Sequence, residues 1–122
     1  MVVYTGTHDN PTTHAWLEEL PDQQKQFLQT YLRRFSGDHR EVAWRLIELA
    51  WSSRAALAIV PLQDLLNLGK DARMNHPGRA DGNWRWRATE TMLTSPAFDW
   101  LCDLTKSTKR AGPQPVSTER IV

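Results

Sequence analysis

The sequence predicts an α/β fold in which two short parallel strands are joined by mostly helical connections. Two apolar runs, Val2–Tyr4 and Ala55–Val60, are rich in branched side chains and are typical of buried strands. Roughly fifty residues with helical periodicity separate them, as a crossover between parallel strands requires. We expect the first strand to be buried on both faces and the second to be buried too, although periodicity alone leaves open a helix for the second run.

The first strand ends in a polar turn, Thr5–Asn10, that carries the ionisable side chains His8 and Asp9. Asp9 or Asn10 is the expected N-cap of a helix that opens at Pro11. In parallel α/β folds, polar side chains at the carboxyl end of a strand point into the crevice that holds the active site. The turn is therefore a candidate site. The alternative is that His8 and Asp9 only cap the helix and form local hydrogen bonds.

Three helices are predicted between the two strands. The first ends before Pro21, and its buried stripe comprises Ala15, Trp16 and Leu20. The second begins at Pro21-Asp22 and stops at Gly37, with apolar side chains at helical spacing at Phe27, Leu28, Tyr31, Leu32 and Phe35. The third follows a capping box over Asp38–Glu41 and has on one face Ala43, Leu46, Ile47, Ala50 and Trp51.

After the second strand the sequence becomes irregular. Pro61 ends the strand because it has no amide hydrogen for the ladder, and Leu62–Gly69 predicts a short helix that stops at Gly69. The polar stretch Lys70–Asn83 is a long loop of the kind that is usually functional or disordered, and the tryptophans directly behind it argue against disorder. A last helix begins at Ser95-Pro96 and has on one face Phe98, Leu101, Cys102 and Thr105, with Cys102 expected to be a buried small hydrophobe.

The composition describes a single globular domain of 122 residues with 40% apolar and 24% charged residues. A net charge of +1 gives no reason to expect nucleic acid or an anionic membrane as a partner, and no apolar run has the length of a membrane span. A single cysteine excludes an internal disulfide and is compatible with a reducing cytoplasm. Six tryptophans and two tyrosines serve either core packing or stacking on flat ligands such as sugar rings.

Four blocks closely resemble, in order and spacing, the C-terminal part of 4-alpha-glucanotransferases, the amylomaltases or disproportionating enzymes of glycoside hydrolase family 77. They are Val3–Asn10, Pro61–Leu66, Arg73–Gly78 and Gly82–Arg87. Members of that family are (β/α)8 TIM barrels that transfer alpha-1,4-glucan segments between maltodextrins with retention. The resemblance covers residues 1–105 and implies an incomplete barrel: its last two strands with the surrounding helices. Residues 106–122, basic and then Pro- and Ser-containing, would be a flexible tail.

The same resemblance assigns roles to the candidate residues. In the family, the motif that matches His8-Asp9 holds the cleaved sugar, which implies Asp9 as the transition-state stabiliser and His8 as a hydrogen-bonding partner of that sugar. The family's nucleophile and general acid lie on earlier strands, so the resemblance implies that neither is present here and that the chain is inactive alone. Further substrate-binding candidates in the matched blocks are Asn75, Gln63, Arg73 and Trp84.

Several of these assignments keep an alternative. Asn75 either contacts sugar or stabilises a turn. One of the two tryptophans Trp84 and Trp86 is expected to pack inward, while the neighbouring arginines pair with acids elsewhere in the barrel. The alternative is that the tryptophans stack directly on glucan. Asp64 is expected to bind backbone N–H groups at a helix start, and Asp81 to be solvated. The remaining histidines are expected to be solvated: His14, His39 and His76.

The implied partners are alpha-1,4-glucans or maltooligosaccharides and a missing N-terminal barrel portion. No cofactor and no metal site are expected, because His8, Asp9 and His14 do not have the spacing of metal ligands. The strands of an incomplete barrel would keep apolar faces and free edges, so we expect marginal stability or self-association. The alternative functions are a noncatalytic glucan-binding remnant and a fragment that complements a partner chain.

Overall fold

The computed structural model describes residues 1–33 and 42–112. Within these ranges the chain forms β1 (Val2–Tyr4), α1 (Thr13–Glu19), α2 (Asp22–Arg33), α3 (Val42–Trp51), β2 (Leu57–Ile59), α4 (Leu62–Leu65), a 3-10 turn (Lys70–Ala72), α5 (Glu90–Leu93) and α6 (Ala97–Ser107). The predictions for Phe35, Gly37, the capping box and His39 lie outside the described residues, as does most of the predicted tail. No helix in these two ranges is long and apolar enough to cross a membrane.

The two strands pair in parallel, which confirms the predicted α/β arrangement. Val2 pairs with Leu57, Val3 with Ala58, and Tyr4 with Ile59. Val3 and Ala58 pack against the core. The other four side chains are exposed by 49% (Val2), 53% (Tyr4), 52% (Leu57) and 47% (Ile59), and we call them the open sheet face.

The prediction that both strands are buried was therefore wrong on one side of the sheet. Successive side chains of a strand point to opposite faces, so a strand is buried on both faces only where a layer covers each. Helices cover one face here, and the described ranges contain no second layer over the open sheet face. The exposed apolar surface agrees with the expectation for strands of an incomplete barrel.

The core is built around α3. Its buried centre consists of Ile47, Ala50, Trp51, Leu65, Ala97 and Leu104. The rings of Trp44 and Trp100 stack with centroids 4.4 Å apart, and Trp44 Nε1 donates to the Leu65 carbonyl across 2.8 Å. Trp51 Nε1 donates to Thr105 Oγ1 on α6. Core packing is therefore the role of these three tryptophans, and it joins α3, α4 and α6.

Some helices differ from the prediction. Helix α1 begins at Thr13, because Thr12 rather than Asp9 or Asn10 is the N-cap and accepts a hydrogen bond from Ala15 N. Helix α4 ends at Leu65 instead of reaching Gly69, since Asn67 has φ 55° and leaves the helical region. Helix α5 was not predicted, and it is a single turn capped by Thr89.

Several side chains that were expected to be buried are exposed. On α1 and α2 these are Trp16, Phe27 and Tyr31, while Leu32 of α2 is buried. Phe27 and Tyr31 instead stack on each other. Cys102 is also exposed, since the face of α6 that meets the core is the one that carries Ala97 and Leu104. The spacing of apolar residues identified these helices but did not predict which of their apolar side chains are buried by the rest of the protein.

Candidate functional site

The turn after β1 presents His8 and Asp9 at its tip. The Asn10 side-chain oxygen accepts hydrogen bonds from the backbone N–H of Thr7 (2.8 Å) and from its hydroxyl (3.0 Å), and Asn10 N donates back to Thr7 O (3.1 Å). Asn10 thus closes the turn instead of capping α1. His8 and Asp9, which lie between Thr7 and Asn10, have half-exposed side chains.

The loop that contains Asn75 lies against this turn. Asn75 Nδ2 donates to Asp9 Oδ1 across 2.6 Å, and the backbone N–H of Asn75 donates to the His8 carbonyl across 3.0 Å. The sequence placed these residues in separate blocks, and the structure brings them into direct contact. The amide of Asn75 therefore orients the carboxylate of Asp9.

His8 connects the carboxylate to an aromatic ring. Its Nε2 lies 3.3 Å from Asp9 Oδ2, and its ring centroid lies 5.0 Å from that of Trp84. Trp84 has φ 61°, a conformation that bulky residues rarely adopt, and its backbone N–H donates to Met74 O across 2.7 Å. Trp84 is half exposed while Trp86 is partly buried, so Trp84 is the tryptophan that faces outward beside the turn.

A cleft of about 250 Å³ opens next to these groups. Of the predicted site residues, His8, Gln63, Arg73 and Trp84 line it, together with Gly6, Thr7, Asn10, Pro11, Thr12, Pro61, Asp64 and Met74. The Asp9 carboxylate is not part of the lining and stands beside the cleft, next to His8 and Asn75. The cleft combines polar donors and acceptors with the indole of Trp84, which suits a polyhydroxylated ligand.

Gln63 and Arg73 are both tied to the backbone. Gln63 Nε2 donates to the Ala72 carbonyl across 3.2 Å, and Arg73 donates to the carbonyls of Asp9 and Asn75. The structure thus places both residues at the cleft and gives each a hydrogen-bonding role within the chain. Whether they also bind a ligand stays a prediction.

Asp64 also lines the cleft, but its carboxylate is engaged inside the protein. It is 3% exposed and accepts hydrogen bonds from Thr13 N, Thr13 Oγ1 and Thr5 Oγ1. This confirms the prediction that Asp64 binds backbone at a helix start, and the helix is α1. Sequence reasoning missed the two threonines, because their only local signal was a position near a strand end or a helix start. Asp81 is exposed, as predicted.

The prediction of solvated histidines was wrong for His76 and was correct in part for His14, whose side chain is 35% exposed. His14 is partly buried, and its Nε2 lies 2.7 Å from Glu18 Oε1, one helical turn away on α1. His76 is also partly buried, and its Nδ1 is buried with no hydrogen-bond partner. Within residues 1–33 and 42–112, no three His, Cys, Asp or Glu side chains form a group that could hold a metal ion.

Comparison with known proteins gives a consistent result. A family model described as 4-alpha-glucanotransferase matches residues 1–93. The chain is 51% identical over 100 residues to a 4-alpha-glucanotransferase of Synechocystis sp., covering 82% of this chain and 19% of that protein. It is 48% identical over 113 residues to the one of Thermus thermophilus, covering 90% of this chain and 23% of that protein.

A solved structure is similar as well. It is an amylomaltase from Streptococcus agalactiae in complex with acarbose, with a TM-score of 0.81 and 31% sequence identity, over 90% of this chain and 22% of that one. The chain thus spans about a fifth of the length of the relatives that it matches.

Proposed function

This chain belongs to the 4-alpha-glucanotransferase family, and from that premise we propose that it supplies one wall of a site that transfers alpha-1,4-glucan segments between maltooligosaccharides. In this proposal Asp9 stabilises the transition state, and His8 hydrogen-bonds the same sugar. The sugar occupies the cleft beside the turn.

The observation that carries the proposal is the 2.6 Å hydrogen bond from Asn75 to Asp9, whose neighbours His8 and Arg73 line the cleft. Glycosyl transfer passes through a transition state that resembles an oxocarbenium ion, and a carboxylate held in place stabilises its positive charge. Each carboxylate oxygen has two lone pairs, so Asp9 keeps acceptor capacity for sugar hydroxyls after it binds Asn75. Asn75 keeps a second amide hydrogen, which suits a sugar contact in addition to its contact with Asp9.

Trp84 provides the second element of the proposed sugar site. Its indole is half exposed and lies beside the His8 ring, at the edge of the cleft. Aromatic rings offer a large apolar face that packs against the apolar face of a sugar ring. We assign Trp84 this stacking role and Gln63 a hydrogen bond to a sugar hydroxyl.

Retaining transfer also needs a nucleophile and a general acid about 5 Å apart. Among the residues that line the cleft, Asp64 is the one carboxylate, and the three hydrogen bonds that it accepts from Thr5 and Thr13 commit it to structure. We therefore propose that the reacting pair comes from residues outside these 122 and that this chain does not transfer glucan alone.

The open sheet face supports a complementary role. Its four apolar side chains are about half exposed, and a barrel would cover them with its interior layers. We propose that β1 and β2 are two strands of a (β/α)8 barrel whose other strands pack on this face. The runner-up function, a fragment that completes a partner chain, rests on the same observation.

The proposed site is tested by titrating the 15N-labelled chain with maltotriose and with acarbose. Shifts should concentrate on the backbone of His8, Asp9 and Asn75 and on the indole of Trp84. Asp9→Ala should weaken binding about tenfold, whereas Asp81→Ala, which changes an exposed carboxylate away from the cleft, should not. Shifts confined to other surfaces would contradict the placement of the sugar.

The missing reacting pair is tested with maltotriose as the substrate. The chain alone should release no glucose and form no longer maltodextrins. A second polypeptide that contains the preceding part of a relative, such as the Thermus thermophilus enzyme, should restore transfer with the wild-type chain. With Asp9→Ala the restored rate should be lower by about a hundredfold or more. Transfer by the chain alone would refute the absence of the pair.

A further inference from the structure

The guanidinium group of Arg73 joins the two loops that form the site. Its Nη2 donates to the main-chain carbonyl of Asp9 across 2.7 Å, and its Nε donates to that of Asn75 across 2.9 Å. Both donors belong to one rigid planar fork, so their directions are fixed relative to each other. The two carbonyls are therefore held at one separation and one angle.

We propose that Arg73 is a positioning residue that sets the Asp9 carboxylate in place, and not itself a sugar ligand. The two hydrogen bonds of Arg73 form a bridge between the main chain at Asp9 and the main chain at Asn75. Two further hydrogen bonds join the same two segments, from Asn75 N to His8 O and from Asn75 Nδ2 to Asp9 Oδ1. These four bonds form one connected network. The Asn75 amide reaches the carboxylate only while the two backbones stay at this distance.

The hydrogen bonds within the turn close its backbone but do not fix the side chains of His8 and Asp9. Between Thr7 and Asn10 the turn is closed locally, but the side chains of His8 and Asp9 are half exposed. Their ties to the rest of the protein run to Arg73, Asn75 and the ring of Trp84. A displacement of about 1 Å in a reacting group can cost a factor of a hundred in rate, so the bridge acts on function through Asp9.

The charge of Arg73 is directed at backbone. Within residues 1–33 and 42–112, Arg73 takes part in no ion pair. Lysine could not reproduce the bridge, because its three N–H donors share one freely rotating nitrogen and lack the fixed planar spacing of Nε and Nη2. Arg73→Lys is thus a sharp variant: it keeps the charge and most of the stem and removes the bridge.

The first test measures amide hydrogen exchange in the full 122-residue chain. In Arg73→Ala and Arg73→Lys, the Asn75 amide should exchange about tenfold faster, while the core amides of Ile47 and Leu65 keep their protection. Arg85→Ala, which removes an exposed arginine from the neighbouring block, should leave the Asn75 amide unchanged. Unchanged protection of Asn75 in Arg73→Lys would overturn the proposal, and this variant decides the case if Arg73→Ala does not fold.

The second test separates positioning from general structural support. Millimolar methylguanidinium should refill the space left in Arg73→Ala and restore both the Asn75 protection and the maltotriose affinity, which the substitution lowers about tenfold. An absence of rescue, with the core still protected, would count against the bridge. The affinity readout rests on the proposed function. If the wild-type chain binds no maltotriose but the Asn75 amide responds as expected, the proposed function fails and the positioning role stands.

Discussion

Asp64 accepts two hydrogen bonds from Thr13, one from its backbone N–H and one from its hydroxyl, each 2.8 Å long. A third comes from the hydroxyl of Thr5, just after β1. Through these bonds one buried carboxylate on α4 connects the end of the first strand with the beginning of α1. The base of the site is therefore held by an acid that takes no part in the proposed chemistry.

Replacing Asp64 with alanine should lower the free energy of unfolding by about 3 kcal/mol, because three buried donors lose a charged acceptor. Asp64→Asn, which keeps one oxygen acceptor, should cost about 2 kcal/mol. Urea denaturation followed by circular dichroism measures both. The control is Asp81→Ala, an exposed loop carboxylate whose loss should leave the midpoint unchanged. Equal midpoints for the Asp64 and Asp81 variants would show that the buried bonds contribute nothing.

Trp84→Asn should separate stability from binding. Asparagine tolerates a positive φ better than tryptophan, so the relief of strain at φ 61° should offset the lost ring contact with His8, and the unfolding free energy should change by less than about 1 kcal/mol. Maltotriose affinity should fall about five- to tenfold, the range expected for one aromatic contact. Isothermal titration calorimetry and thermal melting give the two values. A variant that binds as well as the wild type would exclude the stacking role.

The open sheet face should cause self-association. We expect sedimentation velocity to show oligomers whose fraction increases with protein concentration. Four half-exposed apolar side chains lie on one face of the sheet, and in the described residues each of its two strands has a free edge. The double variant Leu57→Thr/Ile59→Thr places β-branched, less apolar side chains at both positions and should shift the population toward monomer. A wild-type chain that stays monomeric and unfolds in one cooperative transition would refute this prediction.

Helix α6 should be essential to the fold although it lies beyond residue 93, where the family match ends. It contributes Ala97 and Leu104 to the core, and Trp100 stacks on Trp44. A chain that ends at residue 93 should therefore lose cooperative unfolding and bind a hydrophobic dye. A chain that ends at residue 112 is the matched control and should melt like the full chain. Identical melting of the two truncations would show that α6 is dispensable.

The predictions from sequence succeeded where the signal is local. The strand at Val2–Tyr4 and the apolar face of α3 were each readable from a few neighbouring residues. Asp64 was correctly predicted to be structural, but its partners Thr5 and Thr13 lie 59 and 51 positions away. Burial was predicted less well, because it depends on what covers a surface. Tyr4 and Phe27 fit buried patterns and are exposed for lack of a covering layer in the described residues.

The candidate site shows the same division. Resemblance of short blocks predicted His8, Asp9 and Asn75 as site residues, and the structure brings them together. Spacing along the chain could not predict that Asn75 would bind Asp9 or that Arg73 would bridge two carbonyls. These contacts depend on how the loop after α4 returns to the end of β1, which is a property of the whole fold.

The turn that holds His8 and Asp9 receives long-range hydrogen bonds from Arg73 and Asn75, which lie 64 and 66 positions after Asp9 in the chain. During synthesis it leaves the ribosome well before Arg73 and Asn75 exist as folded partners. The turn therefore acquires its final geometry only after these later residues have been translated. A nascent chain stalled just before Arg73 would contain every atom of the His8–Asp9 motif without its working geometry.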